Sequence, residues 1–89
     1  MKHPYLEVTF RKGKPIAAYL YLPRQSGTKV ARTVEVRPQI LVDYAASGEP
    51  IGIEFVAPTT VDIGSMNEVL VEVGAPCLDA DDLAPLRAA

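Results

Sequence analysis

The chain contains few of the residues on which enzyme chemistry and metal binding depend. Its 89 residues include no tryptophan, one cysteine and one histidine. A single thiol cannot form an internal disulfide or a paired-cysteine zinc site, so Cys77 is expected to be a buried apolar side chain. His3 has no second histidine as a metal co-ligand and lies far in sequence from Cys77, which it would have to activate. We therefore expect no cofactor and no metal.

Common catalytic, phosphate-binding and targeting signatures are also absent. Ser26-Gly27 and Ser47-Gly48 are turn pairs outside any GxSxG elbow, and no GK[ST] loop occurs. The net charge is −2, and Lys and Arg are dense only at residues 11–14. Nucleic-acid binding requires a concentrated basic stripe, so we expect no nucleic-acid partner. Without a signal peptide pattern or a membrane-spanning apolar run, we expect a cytoplasmic protein with no membrane partner.

The hydrophobic pattern predicts a small, mainly β domain. Apolar side chains alternate with polar ones, which is the period of a half-buried strand. The alternating segments are residues 6–11, 18–22, 33–37, 40–44 and 51–55. Gly13-Lys14-Pro15 predicts a tight turn, and Gly48 suits a positive φ. The predicted fold class is α+β, mainly β: a five-stranded antiparallel meander with a short C-terminal helical region.

Strand register is predicted from which pairing keeps one face apolar, because a one-residue slip moves every side chain to the other face. Val42 opposite Ile53 satisfies this condition, and so does Val36 opposite Val42. The second pairing puts Glu35 opposite Asp43. The predicted shared core contains Leu20, Val34, Val42, Ile53 and Phe55.

The C-terminal third has a different period. Ser65 and Glu68 match a capping box, and apolar residues recur at helical spacing from Met66 until Gly74, a suitable stop. Residues 66–73 are also rich in β-prone side chains, so a sixth strand remains the alternative.

A single domain is expected overall. Residues 1–58 are assigned to the sheet and residues 59–89 to a helical extension packed on the same core. Asp79, with Asp82 three residues later, predicts the start of a last short helix, because acidic side chains suit a helix N-terminus.

Five polar or aromatic side chains alternate away from the predicted core: Tyr19, Tyr21, Glu35, Asp43 and Glu54. The outer face of an antiparallel sheet is normally polar and solvated. Tyrosines with charged neighbours also suit interfaces, whereas grouped carboxylates can perform acid–base chemistry or bind a hard cation. The leading hypothesis is a non-enzymatic interaction protein that forms a homodimer or other homo-oligomer. The alternative is a small enzyme or a ligand- or metal-binding domain, which convergence of the three carboxylates on a pocket would favour.

Several segments together resemble a small bacterial family known as domain of unknown function 2283. They are AYLYL at 18–22, VARTVEV at 30–36, LVDY at 41–44, Gly48 and IGIEF at 51–55. The resemblance covers residues 5–57 and implies a β-meander with a helical addition and no assigned activity. It departs at Gly13-Lys14-Pro15-Ile16, where such proteins often carry an Asp-rich turn, so no carboxylate role transfers there. Members that neighbour small toxin-like genes make an antitoxin-like role, with a partner encoded nearby, a further hypothesis.

Overall fold

A computed structural model describes residues 5–23, 27–56 and 63–75 of the chain. The elements there are β1 (Tyr5–Arg11), β2 (Lys14–Tyr21), β3 (Arg32–Arg37), β4 (Ile40–Tyr44), β5 (Pro50–Phe55) and α1 (Ile63–Glu72). Every strand pair is antiparallel, which confirms the predicted α+β, mainly β class. His3, Cys77, the helix predicted from Asp79 and the boundary predicted between residues 58 and 59 lie outside the described residues.

The predicted meander of consecutive strands is wrong at one step, because β2 is followed in the sheet by β5 and not by β3. The order is β1-β2-β5-β4-β3, so β5 lies between β2 and β4, and β3 forms an edge of the sheet. Burial explains this arrangement, because Ile51, Ile53 and Phe55 of β5 are completely buried and need neighbours on both sides. Strand β3 begins and ends with arginine, and charged side chains suit an edge strand.

Both tight hairpin turns use positive φ angles. Lys12 and Gly13 join β1 to β2 with φ values of 53° and 79°, the backbone pattern of a type I′ turn. Pro38 and Gln39 join β3 to β4, and Gln39 has a φ of 67°. Arg37 and Ile40 are therefore paired across a two-residue turn.

The registers predicted for the β4–β5 pair and for the β3–β4 pair had different outcomes. Val42 lies opposite Ile53 and Asp43 opposite Gly52, so the predicted pairing of β4 with β5 is confirmed at these two positions, whereas a register shift puts Tyr44 opposite Pro50 instead of Ile51. The predicted pairing of β3 with β4 is wrong by two residues: Val34, not Val36, lies opposite Val42.

A register shift between Glu35 and Arg37 explains the corrected pairing. Continuing the register of the Arg37–Ile40 pair without that shift would put Glu35 opposite Val42, with its charge toward the core. The shift restores the alternation, and Glu35 lies opposite Leu41. The predicted pairing of Glu35 with Asp43 is therefore also wrong.

The inner face of the sheet packs against α1. Met66, Val69 and Leu70 of the helix join one buried cluster with sheet side chains. The sheet contributes Ala18, Leu20, Leu22, Ile40, Val42, Ile53 and Phe55. Val34 is 38 % exposed, so its predicted burial is wrong, because β3 is an edge strand with a neighbour on one side only.

The segment predicted as either helix or strand is helical. Helix α1 extends from Ile63 to Glu72, and its apolar positions at three- and four-residue spacing face the sheet. Ser65 is the third residue of this helix rather than the residue before it, so its predicted capping role is wrong. Within the described ranges, no helix is long and apolar enough to cross a membrane.

Arg37 connects the edge strand to the helix through two acidic side chains of α1. The two terminal nitrogens of Arg37 donate to the carboxylate oxygens of Glu72 at 3.2 and 2.5 Å, and Glu68 lies 3.7 Å away. The hydrogen bond from Arg37 lowers the pKa of the Glu72 carboxyl, and Glu72 raises the pKa of the Arg37 guanidinium. Arg37 thereby holds the end of α1 beside β3.

Candidate functional site: the outer face of the sheet

The outer face, which is the side of the sheet opposite α1, carries two rows of side chains that cross all five strands. Residues that pair across antiparallel strands share a face, so each row follows directly from the register. The carboxylate row is Glu7, Tyr19, Glu54, Leu41 and Glu35. The tyrosine row is Tyr5, Tyr21, Gly52, Asp43 and Thr33. All five residues predicted to form the candidate face lie in these rows.

A hydrogen bond between the rows spans the central strand. The Tyr19 hydroxyl on β2 donates to Asp43 Oδ2 on β4 at 2.6 Å, although β5 lies between them. Gly52 makes this possible, because a Cβ atom at that position would collide with the Tyr19 ring. Sequence reasoning missed this role of Gly52, although a glycine inside an apolar strand is a recognised signal of close approach.

The Asp43 carboxylate accepts hydrogen bonds from two neighbouring side chains of the outer face. Its other carboxylate oxygen, Oδ1, accepts a hydrogen bond from the Thr33 hydroxyl at 2.5 Å. Both oxygens of Asp43 are therefore engaged, one by Tyr19 and one by Thr33. Hydrogen bonds to an ionised acceptor are among the stronger ones in proteins, so Asp43 holds neighbouring side chains in place. Thr33 was not predicted to take part.

Three tyrosine rings form a continuous aromatic surface at the β1–β2 side of the face. Tyr5 and Tyr21 are stacked with ring centres 4.5 Å apart and planes inclined by 16°. Tyr19 meets Tyr21 edge-on at 4.7 Å. The Tyr21 hydroxyl donates to Glu7 Oε1 at 3.2 Å. Sequence reasoning missed Tyr5 and Glu7, although the alternation of β1 already placed both on the polar side of the strand.

The three candidate carboxylates do not converge. Glu35 accepts a hydrogen bond from the backbone amide of Gln39 at 3.3 Å, next to the β3–β4 turn. Leu41 separates Glu35 from Glu54 in the carboxylate row, and Asp43 lies in the other row. A depression of about 310 Å³ beside Glu35 is lined otherwise by residues 36–38, without Asp43 or Glu54. Among the residues described, no three His, Cys, Asp or Glu side chains are grouped to bind a metal.

Charge is distributed unevenly between the rows and the β1–β2 turn. Neither row contains a Lys or Arg, and together they hold Glu7, Glu35, Asp43 and Glu54. Residues 10–16, which we call the hairpin tip, contain three cations, Arg11, Lys12 and Lys14, all exposed. Phe10 and Ile16 of the tip are 48 % and 47 % exposed. The β1–β2 hairpin therefore carries Glu7 and the three tyrosine rings along its strands and the basic residues at its tip.

The strands that form the central part of this face match a known protein family. Residues 17–57 match the family described as Protein of unknown function (DUF2283). The resemblance noted from the sequence is thereby confirmed over this segment. We found no match to the chain among curated proteins or among solved structures. The matched segment contains Tyr19, Gly52 and Asp43, whereas β1, with Tyr5 and Glu7, lies outside it.

Proposed function

We propose that this protein is a non-enzymatic protein-interaction domain and that the outer face of its sheet is the contact surface. The observation that carries the proposal is the array of three tyrosine rings held by stacking and by hydrogen bonds to carboxylates. Tyrosine is enriched in protein interfaces. Side chains already held in place lose little conformational entropy on binding, so more of the contact energy appears as affinity.

The alternative of a small enzyme or metal-binding domain has less support. Glu35, Asp43 and Glu54 would be its functional groups, but they are distributed over two rows. Both oxygens of Asp43 accept hydrogen bonds within the sheet, which suits a positioning role better than proton transfer.

The chemistry of the face indicates the kind of protein surface it would bind. Exposed carboxylates at Glu7 and Glu54 favour Lys or Arg on the partner, and tyrosine rings accept cations over their faces. A contact of this kind occurs among the described residues, where the Arg32 guanidinium lies 4.6 Å from the centre of the Tyr44 ring. We expect a partner that presents cations beside apolar side chains. A protein encoded nearby, including a small toxin, is a hypothesis of this class.

The proposal is tested by removing the aromatic surface and measuring which proteins are still bound. The tagged full chain and its Tyr19→Ser/Tyr21→Ser variant are used for quantitative affinity capture, after circular dichroism has shown that both are folded. We expect specific partners to be depleted at least about tenfold in the variant, since aromatic residues dominate interface hot spots. Val71→Ser is the matched control, because Val71 is 66 % exposed on α1. Equal capture by all three proteins would refute the role of the outer face.

A further inference from the structure

We infer that the outer face binds a second copy of this chain, with the hairpin tip of each copy docked on the rows of the other. This inference rests on the proposed function and names the partner. The expected partner surface carries cations beside apolar groups, and the hairpin tip has that composition. Arg11, Lys12 and Lys14 supply the cations, and Ile16, which is 47 % exposed, supplies apolar area.

The position of the tip within the hairpin fits a two-fold dimer. Along β1 the tip lies four to six residues beyond Glu7 and Tyr5, a distance of roughly 13–20 Å at ~3.3 Å per residue. A two-fold axis between the two copies, parallel to the sheets and perpendicular to the strands, makes the strands of the copies antiparallel. Each tip then lies over the β1–β2 end of the rows in the other copy, and two identical contacts form.

Charge selects this arrangement over other face-to-face pairings. If the strands of the two copies were parallel, carboxylate row would meet carboxylate row, and like charges across an interface are strongly unfavourable. The antiparallel arrangement brings Lys12 and Lys14 toward Glu7 of the other copy instead. Ile16, the unpaired residue at the β1–β2 register shift, meets the tyrosine rings, and together they supply the apolar part of the contact. Complementary charges therefore set the alignment, and the aromatic and apolar side chains supply most of the affinity.

A charge-swap experiment tests this directly by sedimentation velocity at micromolar concentrations of the full chain. Lys12→Glu/Lys14→Glu makes the tip acidic, and Glu7→Lys/Glu54→Lys makes the carboxylate row basic. We expect the unmodified chain to dimerise and each variant alone to dimerise at least about tenfold more weakly. An equimolar mixture should recover a heterodimer, because both contacts are again between opposite charges. The control Glu49→Lys/Glu68→Lys makes the same net charge change as Glu7→Lys/Glu54→Lys, but away from both surfaces, and should still dimerise.

Each other outcome overturns the inference in a distinguishable way. A strictly monomeric unmodified chain removes the second copy as partner, while depletion of another protein by Tyr19→Ser/Tyr21→Ser would still support the proposed function. A dimer that both charge variants leave intact places the contact elsewhere, such as the exposed edge of β1. Thermal unfolding will show whether both variants are folded. If both are folded monomers and their mixture also stays monomeric, the hairpin tip does not bind the outer face.

Discussion

The two faces of the sheet use the same strands but are held together by different interactions. On the inner face, Leu20, Ile53 and Phe55 are at most 1 % exposed and pack against α1, and no buried polar residue occurs among the described ones. On the outer face, partly exposed side chains are positioned by directed contacts, such as the Tyr19–Asp43 hydrogen bond. Stability should therefore depend mainly on the volume of inner side chains, and outer-face geometry on individual atoms. The following substitutions test that contrast.

The largest effect is expected at the inner face. Phe55→Ala should lower the free energy of unfolding by about 3–5 kcal/mol, because it removes buried apolar surface and leaves a cavity in the centre of the sheet. Urea-induced unfolding measures the change. Val56→Ala is the neighbouring control, and since Val56 is 44 % exposed its effect should stay within about 0.5 kcal/mol. Similar losses in both variants would contradict the assigned core.

A smaller loss is expected where the outer face is most crowded. Gly52→Ala should cost about 1–3 kcal/mol, because the added methyl group takes the space of the Tyr19 ring. The double variant Gly52→Ala/Tyr19→Ala tests the mechanism by unfolding measurements. Removing the ring first should make the added methyl group much less costly, so the two effects should not be additive. Additive effects would show that Gly52 matters for another reason.

Removal of one hydroxyl group is expected to have a smaller effect. Tyr19→Phe keeps the ring and deletes the donor to Asp43, so stability should fall by about 1 kcal/mol, the usual net value of a hydrogen bond. A double-mutant cycle with Asp43→Ala isolates the pair, because alanine leaves no acceptor for the hydroxyl. A coupling energy near zero would mean that the hydroxyl does not position the carboxylate in solution.

The smallest effect should come from the exposed Arg37–Glu72 pair, and it should depend on pH. Because Arg37 lowers the pKa of Glu72 in the folded chain, the pair stabilises the fold above the unfolded-state pKa of Glu72. That contribution is lost as pH falls through the folded-state value. Arg37→Gln should therefore reduce stability at neutral pH and make progressively less difference in acid. NMR titration should show the Glu72 pKa rising in the variant, and an unchanged value would exclude the pair in solution.

Local patterns were sufficient to predict the strands but not their order. Alternation from Ile40 to Tyr44 predicts β4 with the bounds that the structure shows. The insertion of β5 between β2 and β4 depends on contacts distant in sequence, which alternation does not report. The β3–β4 register shows a related limit, since a slip of two residues leaves every side chain on the same face. Only the turn at Pro38-Gln39 and the shift near Glu35 determine the pairing.

The residues of the candidate face were predicted correctly, but the contacts between them were not. Alternation placed Tyr19, Tyr21 and Asp43 on one side of the sheet, as observed. The link from Tyr19 to Asp43 could not be predicted, because it crosses a strand whose position was unknown. Ser65 illustrates the opposite error: a capping motif matched the sequence, but α1 begins two residues earlier, at Ile63.

The placement of the tyrosines also gives the protein an internal optical reporter. The chain has four tyrosines and no tryptophan, so tyrosine dominates its near-ultraviolet absorption and emission. Three of the four, Tyr5, Tyr19 and Tyr21, are in contact with one another on the outer face. A molecule that covers this face would change the environment of most of the chromophores at once. Its arrival can be followed by intrinsic fluorescence or near-ultraviolet circular dichroism, without attaching a dye to the surface under study.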